Sequence, residues 1–534
     1  MATYHLGDGP ANRPEPVVKL LSGPRFSVDL AVGAARTCYS SRGVVAPDQV
    51  VPSSLPVEER KRAQARRDAL ARELYQAGHH TTFQHAHYVF ALDCVSRQAV
   101  WSLLHSHPFY NSEQVSQRYV PMDRVGFYLP RLDPPARTLY QETVSALLRG
   151  YRELTGLLEP LAERAYFERF PTRRSQAERW RKEIQKKAQE TARSVLPVAL
   201  FAYLYHTVSA LTLLRYRRIC ESYDVPEEQR AIVERMIEAV RGVDPDFDHL
   251  LEDPLPLAES PEFQALTSLG STPVSPSFAE RFDRSLCGRT SLLVSWNPNA
   301  EEIVAEAIRE VLGTAPEALP DEQALGRCLD PSQNLLLGEA LELGVHSKLF
   351  RVLHHAHYTF RKKLSHAADS QDQRHRMTPA SRPVLAAQIG DGPDVVVPRL
   401  IQEEPRVEKR FAELCGMAWE AMNRLKALGV GPEARLYLLP NATAVRFSES
   451  TDLLFFHHKA TMRLCWNAQE EIWRATVEEV EQIRQVHPKL GRWLGAPCEL
   501  RFRAKLPPPC PEGKRYCGVP LWRIPPEKRP LRML

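Results

Sequence analysis

The hexapeptide HAHYVF at residues 85–90 returns as HAHYTF at residues 355–360. Five of six positions agree across an offset of 270 residues, close to half of the 534-residue chain. An internal match at that spacing constrains the fold strongly, because two copies of one structural unit must each close a core. The flanks agree as well. VVKLL followed by VDLAVGAARTCYSS precedes the first copy, and TSLLVSW followed by AEEIVAEAIREVLG precedes the second. Each pair reads as an apolar strand and then an amphipathic helix. Downstream, each copy has a long helical stretch ending in a Leu-Pro pair, in ARSVLP (192–197) and ARLYLLP (434–440). Apolar helix-like runs follow at 198–220 and 444–465.

Residues 252–285 are rich in Pro and Ser and read as a linker. The expected organisation is two homologous α+β domains, 1–250 and 286–534, joined by a linker at 251–285. Strands followed by long helices predict, in each, a small mixed or antiparallel sheet packed against helices.

Composition excludes more than it names. The 70 basic and 65 acidic residues leave a formal charge of +5, which suits an anionic small molecule and is too small to indicate nucleic acid. No apolar run reaches the roughly 18 residues of a membrane span. The N-terminal MATYHLGDGPANRPEP lacks a signal pattern, so a cytoplasmic location is expected. Ten dispersed cysteines read as reduced thiols.

Two stretches carry chemistry-bearing residues at suggestive spacings. Residues 365–376, SHAADSQDQRHR, hold Gln371, Arg374, His375 and Arg376. Residues 111–119, NSEQVSQRY, hold Ser116, Arg118 and Tyr119. Together they resemble the front and back of one signature, RHRxxSxNExSxRY with a preceding Gln, of the flavin-dependent thymidylate synthases. Glu113 stands where that family has Asn, and Gln114 where it has Glu. ARSVLP resembles the family's AR-x-x-LP, with Arg193 at the nucleotide-contacting position. Arg463, Ala468, Gln469, Glu471 and Ile472 match its late motif. His79, Thr81, Phe83, Gln84 and His85 match its H-x-T-x-F-E-H element, with the acid replaced by an amide. Each half lacks what the other keeps.

The resemblance implies a thymidylate synthase-complementing protein-like fold and reductive methylation of dUMP, with methylenetetrahydrofolate as carbon donor, FAD as cofactor and NADPH as its reductant. It implies dUMP contacts from Ser116, Arg118, Arg193, Gln371 and Arg374. FAD contacts are implied for His79, Thr81, Arg374, His375 and Arg376, and an electrostatic catalytic role for Arg463. Composite sites, in a homodimer imitating the family's tetramer, would follow from the divided signature. Asp452, Leu454 and His458 occupy family flavin positions with different residue types.

Plainer readings stand beside these. The RHR stretch is also a basic turn beside Asp369 and Asp372, and Arg463 could pair with Glu470 or Glu471 on a helix surface. HAHY places two imidazoles on one strand face without a third metal ligand in view, so a structural strand is expected and no metal. Cys498, Cys510 and Cys517, with His487, could hold zinc, although their spacings lack a CxxC knuckle. At the level of function, a flavin- or nucleotide-binding homologue with another role and a non-catalytic scaffold remain alternatives.

Overall fold

The structure, a computed structural model, describes residues 15–105, 107–120, 122, 125–250, 255–269, 276–339, 341–524, 529, 532 and 533. Two four-stranded antiparallel sheets share one strand order. The first runs β1 (Val17–Ser22), β2 (His87–Ser96), β4 (Phe201–Ser209), β3 (Tyr110–Gln114). The second runs β5 (Ser291–Trp296), β6 (His357–Ser365), β8 (Ala444–Asp452), β7 (Ala380–Ser381).

The repeated hexapeptides lead into the inner strands β2 and β6, whose alternation turns Tyr88, Phe90 and Leu92, or Tyr358, Phe360 and Lys362, into the core. Register fixes the equivalences. Phe90 lies opposite His206 and Phe360 opposite Glu449, so residues 206 and 449 correspond. Ser112 pairs with His206 and Ala380 with Glu449, so β3 and β7 take the same place in register, β3 overlapping the 111–119 signature fragment and β7 starting four residues past the 365–376 one.

Polar clamps recur in both sheets. Ser96 gives its backbone N–H and hydroxyl to Glu228 at 2.6 and 2.5 Å, while its oxygen caps the helix Arg97–His105 by accepting from Ala99 N. Ser365 does the same toward Glu471, at 2.6 Å for each bond, and caps the helix His366–Asp372 through Ala368 N. At the ends of β4 and β8, Ser209 and Asp452 cap the helices Ala210–Ser222 and Leu453–Arg463. Two donors from one serine give both oxygens of each buried carboxylate a hydrogen-bond partner.

The chain forms two compact units that are discontinuous in sequence. The first comprises Met1–Leu148, Leu196–Pro273 and Ala421–Leu439; the second comprises Arg149–Val195, Val274–Glu420 and Pro440–Leu534. The division falls inside the helix Pro134–Arg169 and inside both Leu-Pro motifs. In the first unit, Val198 N and Ala199 N donate to Leu439 O and Tyr437 O. In the second, Ala442 N donates to Ser194 O. Each unit is thus closed by a short segment from the other half of the sequence.

Apolar side chains of β2, β4 and the helices Ala210–Ser222 and Glu227–Arg241 fill the first core, among them Leu214, Met236 and Val240. The second core joins β6 to the helices Ala300–Leu312, Leu453–Arg463 and Glu470–Val486 through Val304, Ile308, Phe456 and Ile483. Of the expected linker, 251–254 and 270–275 lie outside the described residues. Pro261–Ser268 and Pro276–Ser285 are helical, and Asp283 in the latter accepts two hydrogen bonds from Arg446 at 2.8 Å.

Candidate functional site

In the second unit, β6 ends in the Ser365 cap, and the short helix His366–Asp372 leads directly into the turn carrying Arg374, His375 and Arg376. The helix Leu453–Arg463, launched by the Asp452 cap, brings Arg463 back beside this turn. Arg463 Nε donates to His375 Nε2 at 2.8 Å, and Nη2 donates to Gln371 O at 2.7 Å. Because a guanidinium is always protonated, Nε2 must be the acceptor, so His375 is neutral and carries its proton on Nδ1. Burial, with the nearby charges of Arg463 and Lys459, holds its pKa well below the ordinary histidine range. His375 also packs edge-on against His458, with ring centroids 5.6 Å apart.

Gln371 and Arg193 meet at Gln469. Gln371 Nε2 donates to Gln469 Oε1, and Arg193 Nη2 donates to the same oxygen at 3.1 Å. Asn441 Nδ2 holds the Arg193 carbonyl at 3.0 Å. Arg193 comes from the first half of the sequence and its partners from the second, yet all lie within one compact unit. Arg193, Asn441 and Gln469 border a cleft lined also by Lys187, Arg399, Glu470 and Arg474. Arg399 and Arg474 both approach Glu470, at 3.4 and 3.7 Å. Arg463 itself is oriented by His375 and the Gln371 carbonyl, a different arrangement from the surface pairing with Glu470 or Glu471 that its helical spacing permits.

Beneath the turn lies a cluster of ionisable side chains with almost no solvent contact. Lys362 Nζ is 2.9 Å from Asp372, 3.4 Å from Glu449 and 2.8 Å from Glu479. Lys459, one helical turn before Arg463, contacts Asp372 at 2.8 Å and also reaches Glu449. Arg382 pairs with Asp369 at 2.8 Å. Against the cost of burial, Lys362 and Lys459 keep Asp372 ionised, well below the usual carboxylate range. Glu449 goes the other way: burial and the Asp372 charge push it up to about 7. The equivalent residues of the first unit are neutral. There His206 Nε2 lies 3.0 Å from the Tyr216 hydroxyl, and Leu92 and Met236 occupy the places of Lys362 and Glu479.

Arg374 and Arg376 are exposed on either side of half-buried His375. Leu454 is buried in the core and Asp452 is spent on the helix cap and on His354, 2.8 Å away, so neither faces outward as a ligand contact. His458 stays half-exposed and pairs with Glu342 at 2.6 Å.

The other predicted residues lie in the first unit. Ser116 Oγ accepts from Arg118 N at 3.2 Å, and the Arg118 guanidinium carbon sits 5.3 Å from the Tyr119 ring centroid. Arg97 steadies this loop by donating to Gln114 Oε1 at 3.0 Å and Val115 O at 2.7 Å. His79 and Thr81 are exposed at the start of the 3-10 turn His80–Gln84. Gln469 and Asn441 were missed among the candidates. Gln469 already stood in the late motif and could have been found there, whereas Asn441 has no sequence signal beyond following a Leu-Pro pair.

Cys498 is buried and Cys510 and Cys517 pack partly buried against the second core. His487 Nδ1 lies 2.9 Å from the Tyr358 hydroxyl. Among the described residues no group of three or more His, Cys, Asp or Glu side chains is arranged to hold a metal ion. No helix among them is long and apolar enough to cross a membrane.

Known proteins of one family resemble this chain. A flavin-dependent thymidylate synthase of Geobacter sulfurreducens is 31% identical over 170 residues, covering 31% of this chain and 70% of the relative. Those of Clostridium tetani and Nitratidesulfovibrio vulgaris are 27% and 26% identical over 233 and 240 residues, covering 43% and 44% of this chain and 84% and 86% of the relatives. The profile of the family described as thymidylate synthase complementing protein matches twice, at residues 19–246 and again at 292–489. Two matches that together span most of the sequence, on two sheets of one strand order, place this chain in the thymidylate synthase complementing protein family.

Proposed function

We propose that the protein is an FAD-dependent thymidylate synthase that methylates dUMP to dTMP, using methylenetetrahydrofolate and NADPH, and that its two halves, copies of one ancestral unit, each supply part of the site. The observation that carries this reading is the contact of Arg193 from one half with Gln469 of the other, which also takes Gln371, whose carbonyl in turn holds Arg463 beside His375.

The turn at 374–376 fits a flavin nucleotide. Two exposed guanidinium groups flank a neutral imidazole, an arrangement suited to a pyrophosphate with a ring system beside it. Arg374, His375 and Arg376 would hold the cofactor, with His79 and Thr81 as further contacts. Bound there, FAD in its reduced form supplies hydride. The flavin positions at Asp452 and Leu454 contribute nothing to that binding in this reading.

Arg463 is the catalytic candidate. Its guanidinium is aimed by two hydrogen bonds and cannot swing freely, so its charge is preorganised toward a uracil carbonyl whose oxygen gains electron density as C5 becomes nucleophilic. Arg193 and Arg374, with Ser116 and Arg118, would meet the dUMP phosphate, and Gln371 the remainder of the nucleotide. Neither half would act alone, and a homodimer imitating the family's tetramer completes the assembly.

Tritium release from dUMP labelled at C5, measured with methylenetetrahydrofolate and NADPH, tests the reading. Release that depends on all components and on bound flavin supports it. A flavin-bound protein that binds dUMP yet releases no tritium would reduce the chain to a nucleotide-binding homologue.

A further inference from the structure

A second cleft, of about 370 Å3, opens in the second unit between the end of the helix Pro134–Arg169, the helix Ala177–Ala192, Trp466 and Asn467, and tail residues 514–517. The volume is in the range that holds a small organic ligand. Part of its wall lies beyond residue 489, where the second family match ends. It shares Lys187 and Met533 with the cleft bordered by Arg193 and Gln469, so the two adjoin.

Six basic side chains line this cleft: Arg169, Arg173, Lys187, Lys514, Arg515 and Arg532. Only two acidic ones, Glu168 and Glu183, oppose them. The excess of four charges is close to the +5 of the whole chain. Aromatic rings carry the guanidinium groups. The Arg173 guanidinium carbon sits 4.0 Å from the Phe170 centroid and 4.2 Å from that of Trp180, while Nη1 donates to the Tyr166 hydroxyl at 2.6 Å. Arg169 lies 5.5 Å over Trp466. Its Nε is buried without a hydrogen-bond partner among the described residues, and burial lowers its pKa.

A guanidinium held over an aromatic face can still recognise an oxyanion through its N–H edge. A buried guanidinium N–H without an acceptor is costly, and a carboxylate or phosphate brought to Arg169 would offset part of that cost. Trp466 and Tyr516 add flat apolar surface on which a ring can lie.

We propose that this cleft is a second ligand site, which takes a planar aromatic ring bearing two or more carboxylate or phosphate groups. The inference rests on the proposed function only for the choice of probes, since both co-reactants of that reading carry such chemistry. Its two sources are a phosphorylated nucleoside and an oligoglutamylated pterin.

The test uses the full-length protein with adenosine 2′,5′-diphosphate and folate triglutamate as separate probes, followed by quenching of tryptophan fluorescence and by calorimetry. At least one probe should bind the wild type, and Arg169→Ala should weaken it ~10-fold or more through the lost charge-assisted hydrogen bond. Arg169→Lys should recover part of the affinity, with circular dichroism reporting whether each variant is folded. Which probe binds identifies the source. Binding by neither, or binding unchanged in both Arg169→Ala and Trp466→Leu, overturns the proposal. Flavin content and dUMP affinity are read in parallel, so a protein that binds a probe here but neither flavin nor dUMP would sink the proposed function and leave this site standing.

Discussion

Arg463 donates through Nε to Nε2 of His375 at 2.8 Å, which makes a neutral imidazole the aiming device of a permanent cation. The arrangement separates two jobs. His375, with the Gln371 carbonyl, sets the direction of the guanidinium, and Arg463 supplies the charge. Arg463→Ala should therefore lower tritium release from dUMP by about 10²–10³-fold, the usual effect of removing a preorganised electrostatic group. The flavin absorption band should survive, because its candidate contacts lie on the 374–376 turn. Loss of the band together with activity would assign Arg463 to cofactor binding instead.

His375 gives this pair a pH dependence. Its folded pKa lies well below the unfolded value of 6.5, so the unfolded chain binds the proton more readily. The stability it contributes is fully present above about pH 6.5 and is lost as pH falls from there toward the folded pKa. His375→Gln, which cannot take that proton, should flatten the acid side of the stability profile in urea unfolding at pH 5 and 7. An unchanged acid slope would show that the imidazole is already accessible to protons.

Glu449 has the opposite sign. Burial and Asp372 raise it from 4.5 to about 7 despite Lys362 and Lys459 beside it. Between those values the folded state binds more protons than the unfolded one, so this group's contribution falls as pH rises from about 4.5 through about 7. The isosteric Glu449→Gln should remove that fall, a change of about 3 kcal/mol at most between pH 5 and 8. The check is the difference in unfolding free energy between wild type and variant at the two pH values, with Lys362, Lys459, Asp372 and Glu479 unaltered. A difference that does not change with pH would mean that Glu449 stays ionised throughout.

The legible part of this architecture was the part written twice. HAHYVF and HAHYTF sit at the entry to two inner strands whose register superimposes Phe90 on Phe360, so the repeat in letters is a repeat in pairing. Arg463, His375 and Gln371 were legible for a related reason: their spacings matched a signature, and the structure brings them within hydrogen-bond reach. The exchange of segments was not legible. Nothing local in ARSVLP says that Ser194 will accept from Ala442 while Val198 donates to Leu439, because main-chain pairing across some 240 residues leaves no side-chain pattern. The buried charge cluster was hidden for a different reason. Lys362 takes an inward strand position that its counterpart Leu92 fills apolarly, and a lysine is tolerable there because Asp372 of the next helix and the distant Glu449 and Glu479 surround it.

The two serine–glutamate clamps allow a controlled comparison within one molecule. Glu228 and Glu471 each accept a backbone N–H and a hydroxyl from one serine, both buried, at nearly the same distances. Truncating either leaves the serine N–H without its acceptor, at a cost of about 1–3 kcal/mol for the orphaned group and more for the cavity. Glu228→Ala and Glu471→Ala should thus destabilise by similar amounts, read as shifts in unfolding midpoint. Markedly unequal losses would show that the matching geometry conceals different local packing.

Arg193 decides whether the exchanged segment matters for chemistry. It reaches Gln469, which Gln371 also contacts, and its carbonyl is held by Asn441, so both ends of the residue are fixed within the second unit. If its charge meets the dUMP phosphate, Arg193→Ala should raise the KM for dUMP by about 10-fold or more while leaving kcat less affected, as loss of uniform binding does. Arg118→Ala, in the loop steadied by Arg97, should act in the same direction if the divided signature serves one substrate. Were dUMP affinity to respond to Arg193 and ignore Arg118, the substrate would belong to the unit of Arg463 alone, and the SxRY fragment would be a relic of the duplication. A loss from both, with flavin content intact, supports a nucleotide held by the two halves together.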